Sequence, residues 1–263
     1  MNLFQICWMG IACLALSVIE ALTNGLQFSA ATVLLGGASG IFNVFSGMSL
    51  LMAMTTGPLS ITILIFSMYV VVPPILAIPI LHEQNTFCQG IGILMIIAVL
   101  VTGNYSKPAD SAPRTKKWWL YCVSSALFSG LASFLIKVQQ MLLPGLEQRE
   151  YSISNFAAGV ITAGIFYLWF SRRDAAEGKA RYKPTAALFL VPAIALAICQ
   201  SGAQMCNLYN ATRLPAIVLY PVTQLSTLML TTVYSIVFLH ERPTPRNIAC
   251  LTMGGTAILL MNF

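Results

Sequence analysis

Charge is what this chain has least of: of 263 residues, eight are Asp or Glu, fourteen are Lys or Arg and two are His. That 8% compares with roughly a quarter in an ordinary soluble domain, so water is not the main solvent of this surface. Catalysis inside a membrane needs ionisable or nucleophilic groups that converge at depth. Here His82 and His240 both fall at the ends of apolar runs, and no Ser/His/Asp or metal-ligand spacing occurs, so no catalytic residue and no metal site is expected. A G-x-x-x-x-G-K-[ST] loop is also missing, which removes ATP hydrolysis as an energy source. Paired cysteines are absent too. Cys7, Cys13, Cys88, Cys122, Cys199, Cys206 and Cys250 stand singly in apolar segments and read as small hydrophobes, with no cofactor implied.

Hydrophobic residues make up 57% of the chain, and the charges that exist are confined. None lies between Glu20 and Glu83, from Pro184 to Thr212, from Leu214 to His240, or after Arg246. A helix needs about 20 apolar residues to cross the hydrocarbon of a bilayer. The gaps accommodate about nine such spans, at 2–20, 33–55, 58–81, 87–103, 118–136, 154–171, 185–209, 216–239 and 247–262. Met1-Asn2 lacks the basic flank of a cleavable signal, so the first run counts as a span. The runs are continuously apolar, without the alternation of membrane-barrel strands. The expected fold class is therefore an all-α polytopic membrane bundle.

The tripeptide Leu-His-Glu occurs at 81–83 and again at 239–241, an interval of 158 residues, each time between two long apolar runs. That placement marks an internal repeat. Five spans separate the copies, and an odd number of crossings puts equivalent points on opposite faces, so the halves are expected to be inverted. The division is a first repeat at 1–105 with four helices, a basic loop at 106–117, and a second repeat at 118–263 with five. Span five has no counterpart, so the first repeat lacks its opening helix, and truncation at an internal Met is the favoured explanation. Eleven of the fourteen basic residues sit in three loops: Lys107 to Lys117, Arg172 to Lys183, and Arg242 with Arg246. Lys137, Arg149 and Arg213 remain for the other face. The positive-inside rule places the three loops in the cytoplasm and the carboxyl terminus outside. The basic excess thus records topology, and no nucleic-acid partner is implied.

A proline-started helix, then Leu-x-Glu, a short polar turn and a Gly-containing last helix appear once per half. They are carried by Pro58 to Thr102 and Pro215 to Asn262, with Gly47-x-x-Leu50 and Gly202-Ala203-Gln204 upstream. This arrangement resembles the drug/metabolite transporter superfamily, in particular the EamA-type permeases. The resemblance implies two inverted five-helix repeats and carriage of small metabolites, amino acids or lipophilic compounds, often outward. The chain departs from that pattern in its missing first helix and in its external carboxyl end. Short loops and the lack of a transit peptide favour a bacterial inner membrane.

Polar groups inside hydrocarbon are the default site candidates. Gln200, Gln204 and Asn207 follow i, i+4, i+7 spacing in span seven, with Asn43 in span two as the repeat partner of Ser201. Amides donate and accept, so they suit neutral or zwitterionic cargo. The same residues also serve as interhelical hydrogen bonds. Span eight adds Tyr220, Gln224 and Thr227, and span three adds Ser67 and Tyr69. Tyr220, near a helix end, reads equally as an interfacial anchor. Pro73, Pro74 and Pro221 are candidate hinges, because an interior proline removes a backbone hydrogen bond; the alternative is a static kink. Gly36-x-x-x-Gly40 marks a face where another backbone approaches, expected within the molecule rather than between copies. Glu83 and Glu241 read as structural groups at helix ends, and Glu20 and Lys137 as side chains that snorkel to the headgroups.

The functional expectation is a secondary carrier, a permease that exports small organic metabolites by alternating access, with a proton, ion or solute gradient as its energy source; its partners are the bilayer and a small solute. A multidrug efflux carrier of the same superfamily, or a fragment that does not transport, is the alternative.

Overall fold

The computed structural model describes residues 28–57, 59–81, 87–104, 115–176 and 186–238, with positions 11, 15, 252, 253 and 256. These residues are almost entirely helical, and no strand occurs among them. The helices are α1 (Ala30–Thr56), α2 (Leu59–Ser67), a 3₁₀ turn (Met68–Val71), α3 (Val72–Leu81), α4 (Phe87–Asn104), α5 (Lys116–Leu142), α6 (Gln148–Ala176), α7 (Ala186–Arg213) and α8 (Ala216–Phe238). Among the described residues four helical stretches are long and apolar enough to cross a membrane: Ala30–Thr56, Ile61–Leu81, Lys116–Leu142 and Gln148–Trp169. Leu34, Leu120 and Ile161 are 64–72% exposed, so the outer faces of three of these helices carry exposed apolar side chains, compatible with a membrane protein. Most of spans 2–20 and 247–262, His82-Glu83, Leu239-His240-Glu241, Glu20, Pro58, Gly254-Gly255 and most of the three basic loops lie outside the described residues.

The chain forms two compact units, Met1–Met48 with Leu135–Arg213, and Ser49–Phe134 with Leu214–Phe263. Each draws on both sequence halves, so this division differs in kind from the division into repeats.

In the first unit α1 and α6 run side by side in the same direction. Ser29 meets Glu147 at their starts, Gly36 faces Tyr151 and Ser154, Gly40 faces Asn155 and Gly159, and the Phe45 and Phe166 rings meet edge to face at 5.5 Å. Two helices with little apolar driving force between them in lipid associate through close packing, and small residues permit it. A Cβ at Gly40 would fall onto the Asn155 carbonyl oxygen, and one at Gly36 would stand 2.8 Å from the Tyr151 oxygen. The Gly36-x-x-x-Gly40 face is thus filled by α6 of the same chain. Asn155 Nδ2 also donates to Ser39 Oγ (3.3 Å), a buried bond in the same seam.

Helices α5 and α6 extend further than hydropathy predicts, to Leu142 rather than 136 and from Gln148 rather than 154. The extra turns are polar, yet their groups satisfy one another. Gln139 Nε2 donates to the Leu146 carbonyl (3.3 Å), Gln140 Nε2 donates to Gln139 Oε1, and Gln140 Oε1 accepts from Gly145 N–H and Gln148 Nε2, both at 3.3 Å. Gln139 and Gln140 are buried, and a network satisfied in this way fixes the turn between the helices. Lys137 is buried too, 5% exposed, instead of snorkelling. Its Nζ donates to the Ala211 carbonyl at 3.0 Å. That oxygen belongs to the last turn of α7, where carbonyls lack helical partners and a cation is favoured. Gln139 also reaches Thr32 Oγ1 (3.5 Å), so the start of α1, the end of α5, the start of α6 and the end of α7 share one end of this unit. Helices α1 and α7 therefore run in opposite directions.

Ser29 caps α1: its Oγ accepts from Thr32 N–H at 3.2 Å. The carboxylate that a capping box would place three residues later comes instead from Glu147, which accepts from Ser29 N–H (3.1 Å) and Ser29 Oγ (2.7 Å). Glu147 holds a left-handed φ of 53° to do so. The Thr32 hydroxyl, and then the Ser29 hydroxyl and N–H, hold its carboxyl below the ordinary range. Because the folded-state pKa is depressed, this stabilisation is present at neutral pH and is lost as pH falls below about 4.5 toward the folded value. Glu147→Gln is expected to lower the thermal midpoint at pH 7, with the gap from wild type closing between about pH 5 and pH 3. A gap that stays constant across that range contradicts the carboxylate's role.

In the second unit Trp118 is fully buried among Ala53, Cys122, Ile61 and Ile65, and its Nε1 donates to Thr62 Oγ1 at 2.9 Å. Gly130, three turns further along α5, lies against Val72, so α5 runs parallel to the α2–α3 stretch. Tyr220, near the start of α8, meets Ser133 of α5, and Gln224 meets Tyr69. Helix α8 thus runs opposite to α2–α3.

Candidate functional site

The single helix expected over 58–81 is broken. Ser67 Oγ bonds back to the Ile63 carbonyl (2.9 Å), a bond that bends helices, and the chain then tightens into the 3₁₀ turn. Val72 N–H bonds the Tyr69 carbonyl, three residues back. Pro73 and Pro74 occupy the first turn of α3, where a missing N–H costs little. The same two prolines stand at i+3 and i+4 from Val70, so its carbonyl loses both of its ordinary helical donors. The candidate hinge residues Pro73 and Pro74 therefore sit at a helix restart beside this carbonyl. Pro221 is buried in the second turn of α8.

Two predicted site residues meet here. The Tyr69 hydroxyl donates to Gln224 Oε1 at 3.1 Å, and the Tyr69 ring lies 5.3 Å from that of Phe66. Both Tyr69 and Gln224 are half-buried, and the bond leaves the Gln224 amide nitrogen and the second lone pair of the Tyr69 hydroxyl for another group. Tyr220 is placed differently. It is buried, and its hydroxyl donates to the Ser133 carbonyl, tying α8 to α5. Thr227 is exposed, and its Oγ1 bonds the Thr223 carbonyl.

The remaining candidates belong to the first unit. Asn43 and Gln200 are exposed, Asn207 is half-buried and Gln204 is 8% exposed. The inward row of α7 is Ala197, Ser201, Gln204, Leu208 and Ala211, at i, i+4, i+7, i+11 and i+14; Ser201 is half-buried with its Oγ enclosed, and the other four are buried. It shares only Gln204 with the row of amides read from the sequence. Ser201 was overlooked there, although its equivalence to Asn43 pointed to it. The Ser29, Gln139 and Glu147 cluster was also missed; the Ser-x-x-Thr cap at 29–32 was its one local signal. Cys122, Cys199 and Cys206 are free thiols.

No family model and no characterised protein sequence matches this chain. Among solved structures, one described only as "Crystal structure of protein" matches with a TM-score of 0.78 at 13% identity, over 100% of this chain and 89% of that one. The likeness is one of fold.

Proposed function

We propose that this chain is a secondary carrier of the drug/metabolite transporter type, exporting small organic metabolites by alternating access between inverted repeats. The observation that supports it is the opposed direction of helices one repeat interval apart. Adding 158 to the bounds of α1 gives 188–214, beside α7 at Ala186–Arg213. The α2–α3 stretch, 59–81, becomes 217–239, beside α8 at Ala216–Phe238. Within its own unit each pair is antiparallel, as an inverted duplication requires. Lys137, Arg149 and Arg213 also belong to the helix ends that meet at one end of the first unit, in keeping with the face assigned to them by loop charge.

A helix interrupted at membrane depth is tolerated where it lines a cavity or is enclosed by protein, and carriers use such breaks to hold cargo. The break at Met68–Val71, with the Tyr69–Gln224 pair beside it, gives the second unit a polar locus of that kind. Metabolite profiling of cells with and without the gene selects the solutes to test. Reconstituted into vesicles without ATP, the protein is expected to move at least one of them with saturable kinetics. Protein-bearing vesicles that move none of the selected solutes contradict the reading.

A further inference from the structure

A hydroxyl or amide shut away from water without a partner is costly, and the first unit mostly avoids this: Gln139, Gln140 and Asn155 are all bonded. The exceptions are the Tyr151 hydroxyl on α6 and, on α7, two neighbouring side chains. Gln204 is 8% exposed and its Nε2 has no hydrogen-bond partner among the described residues; the Ser201 Oγ is equally enclosed and equally without one. At i and i+3 they share one helix face, near the middle of a 28-residue helix, in a row otherwise made of Ala197, Leu208 and Ala211. The positions 158 residues earlier are Asn43 and Ser46, again one amide and one hydroxyl at i and i+3, in swapped order.

We propose that Ser201 and Gln204 form the recognition point for an uncharged hydrogen-bonding group of the cargo, an amide or a hydroxyl. The assignment of that ligand as cargo rests on the carrier reading. The chemistry follows from charge. Along α7 the one charged side chain is Arg213, at the far end, and the buried Lys137 ammonium is held by the Ala211 carbonyl, two turns beyond Gln204. A carboxylate or ammonium set against two neutral dipoles gives up its hydration with no counter-charge to replace it. A neutral amide or hydroxyl gives up far less, and the Gln204 amide and Ser201 hydroxyl offer it both donors and acceptors.

The test uses the purified full chain in detergent and three probes on one scaffold at millimolar concentration: N-acetylphenylalaninamide (neutral), N-acetylphenylalanine (anionic) and phenylalaninamide (cationic). The neutral probe is expected to raise the thermal midpoint of the wild type by several degrees and the charged probes to leave it in place. Gln204→Leu and Ser201→Ala are expected to lose that shift while the midpoint of the ligand-free protein stays the same or rises. The proposal is overturned if the neutral probe gives no shift, if the charged probes shift the midpoint equally, if the variants keep the shift, or if they destabilise the ligand-free protein. Flux separates this from the carrier reading. A site that behaves as expected in vesicles that move no solute stands alone, whereas solute flux with an unaltered Gln204→Leu response leaves the carrier and removes the site.

Discussion

Gly40→Ala is expected to lower the thermal midpoint of the detergent-solubilised protein by roughly 5–10 °C, while Gly37→Ala leaves it in place or raises it slightly. The two glycines are neighbours on one helix, so helix propensity alone predicts the same small gain for both. Their surroundings differ. A Cβ at Gly40 lands on the Asn155 carbonyl oxygen, a backbone atom that no rotamer change can move, and α1 and α6 must separate to admit it. At Gly37 the nearest atom is the Ala158 Cβ at 4.0 Å, an ordinary contact. Overpacking of this kind costs about 1–3 kcal/mol, and separation of the helices also strains the Asn155–Ser39 bond. Equal midpoints for the two variants would mean that the α1–α6 seam is not packed as described.

Solute flux is expected to fall roughly tenfold in Gln224→Leu and a few-fold in Tyr69→Phe, a graded loss corresponding to about 1.4 kcal/mol or less for each polar group removed. Leucine deletes the whole amide. Phenylalanine deletes one donor and leaves Gln224 Oε1 without the partner it has at 3.1 Å. A purely structural bond gives the opposite pattern, with lower thermal midpoints and unchanged flux through the protein that remains folded.

The helices were legible because charge is excluded from hydrocarbon, so gaps between charges locate the spans. Their ends were less so. Hydropathy stops at polar residues such as Gln139, Gln140 and Gln148, whereas the chain continues as helix through them because they bond to one another and to the turn at 143–147. At span three the Pro73-Pro74 pair marked an irregularity, but a restart with a 3₁₀ turn depends on where Ser67, Tyr69 and Val72 place their bonds. The candidate residues divide along similar lines. Amide spacing on α7 selected Gln200, Gln204 and Asn207, yet the phase of the buried face follows the apolar residues Ala197, Leu208 and Ala211, which leaves Gln200 exposed and brings in Ser201. Tyr69 and Gln224 are 155 residues apart, and only the antiparallel course of α8 against α2–α3 joins them.

Cysteine accessibility tests the inverted duplication most directly. In a background freed of the seven native cysteines, Gln84→Cys and Arg242→Cys place one thiol just after each Leu-His-Glu copy. Labelling with a membrane-impermeant maleimide in intact cells and in inverted vesicles is expected to find the two on opposite sides of the membrane. Labelling of both from the same side contradicts the inverted repeat and the carrier built on it.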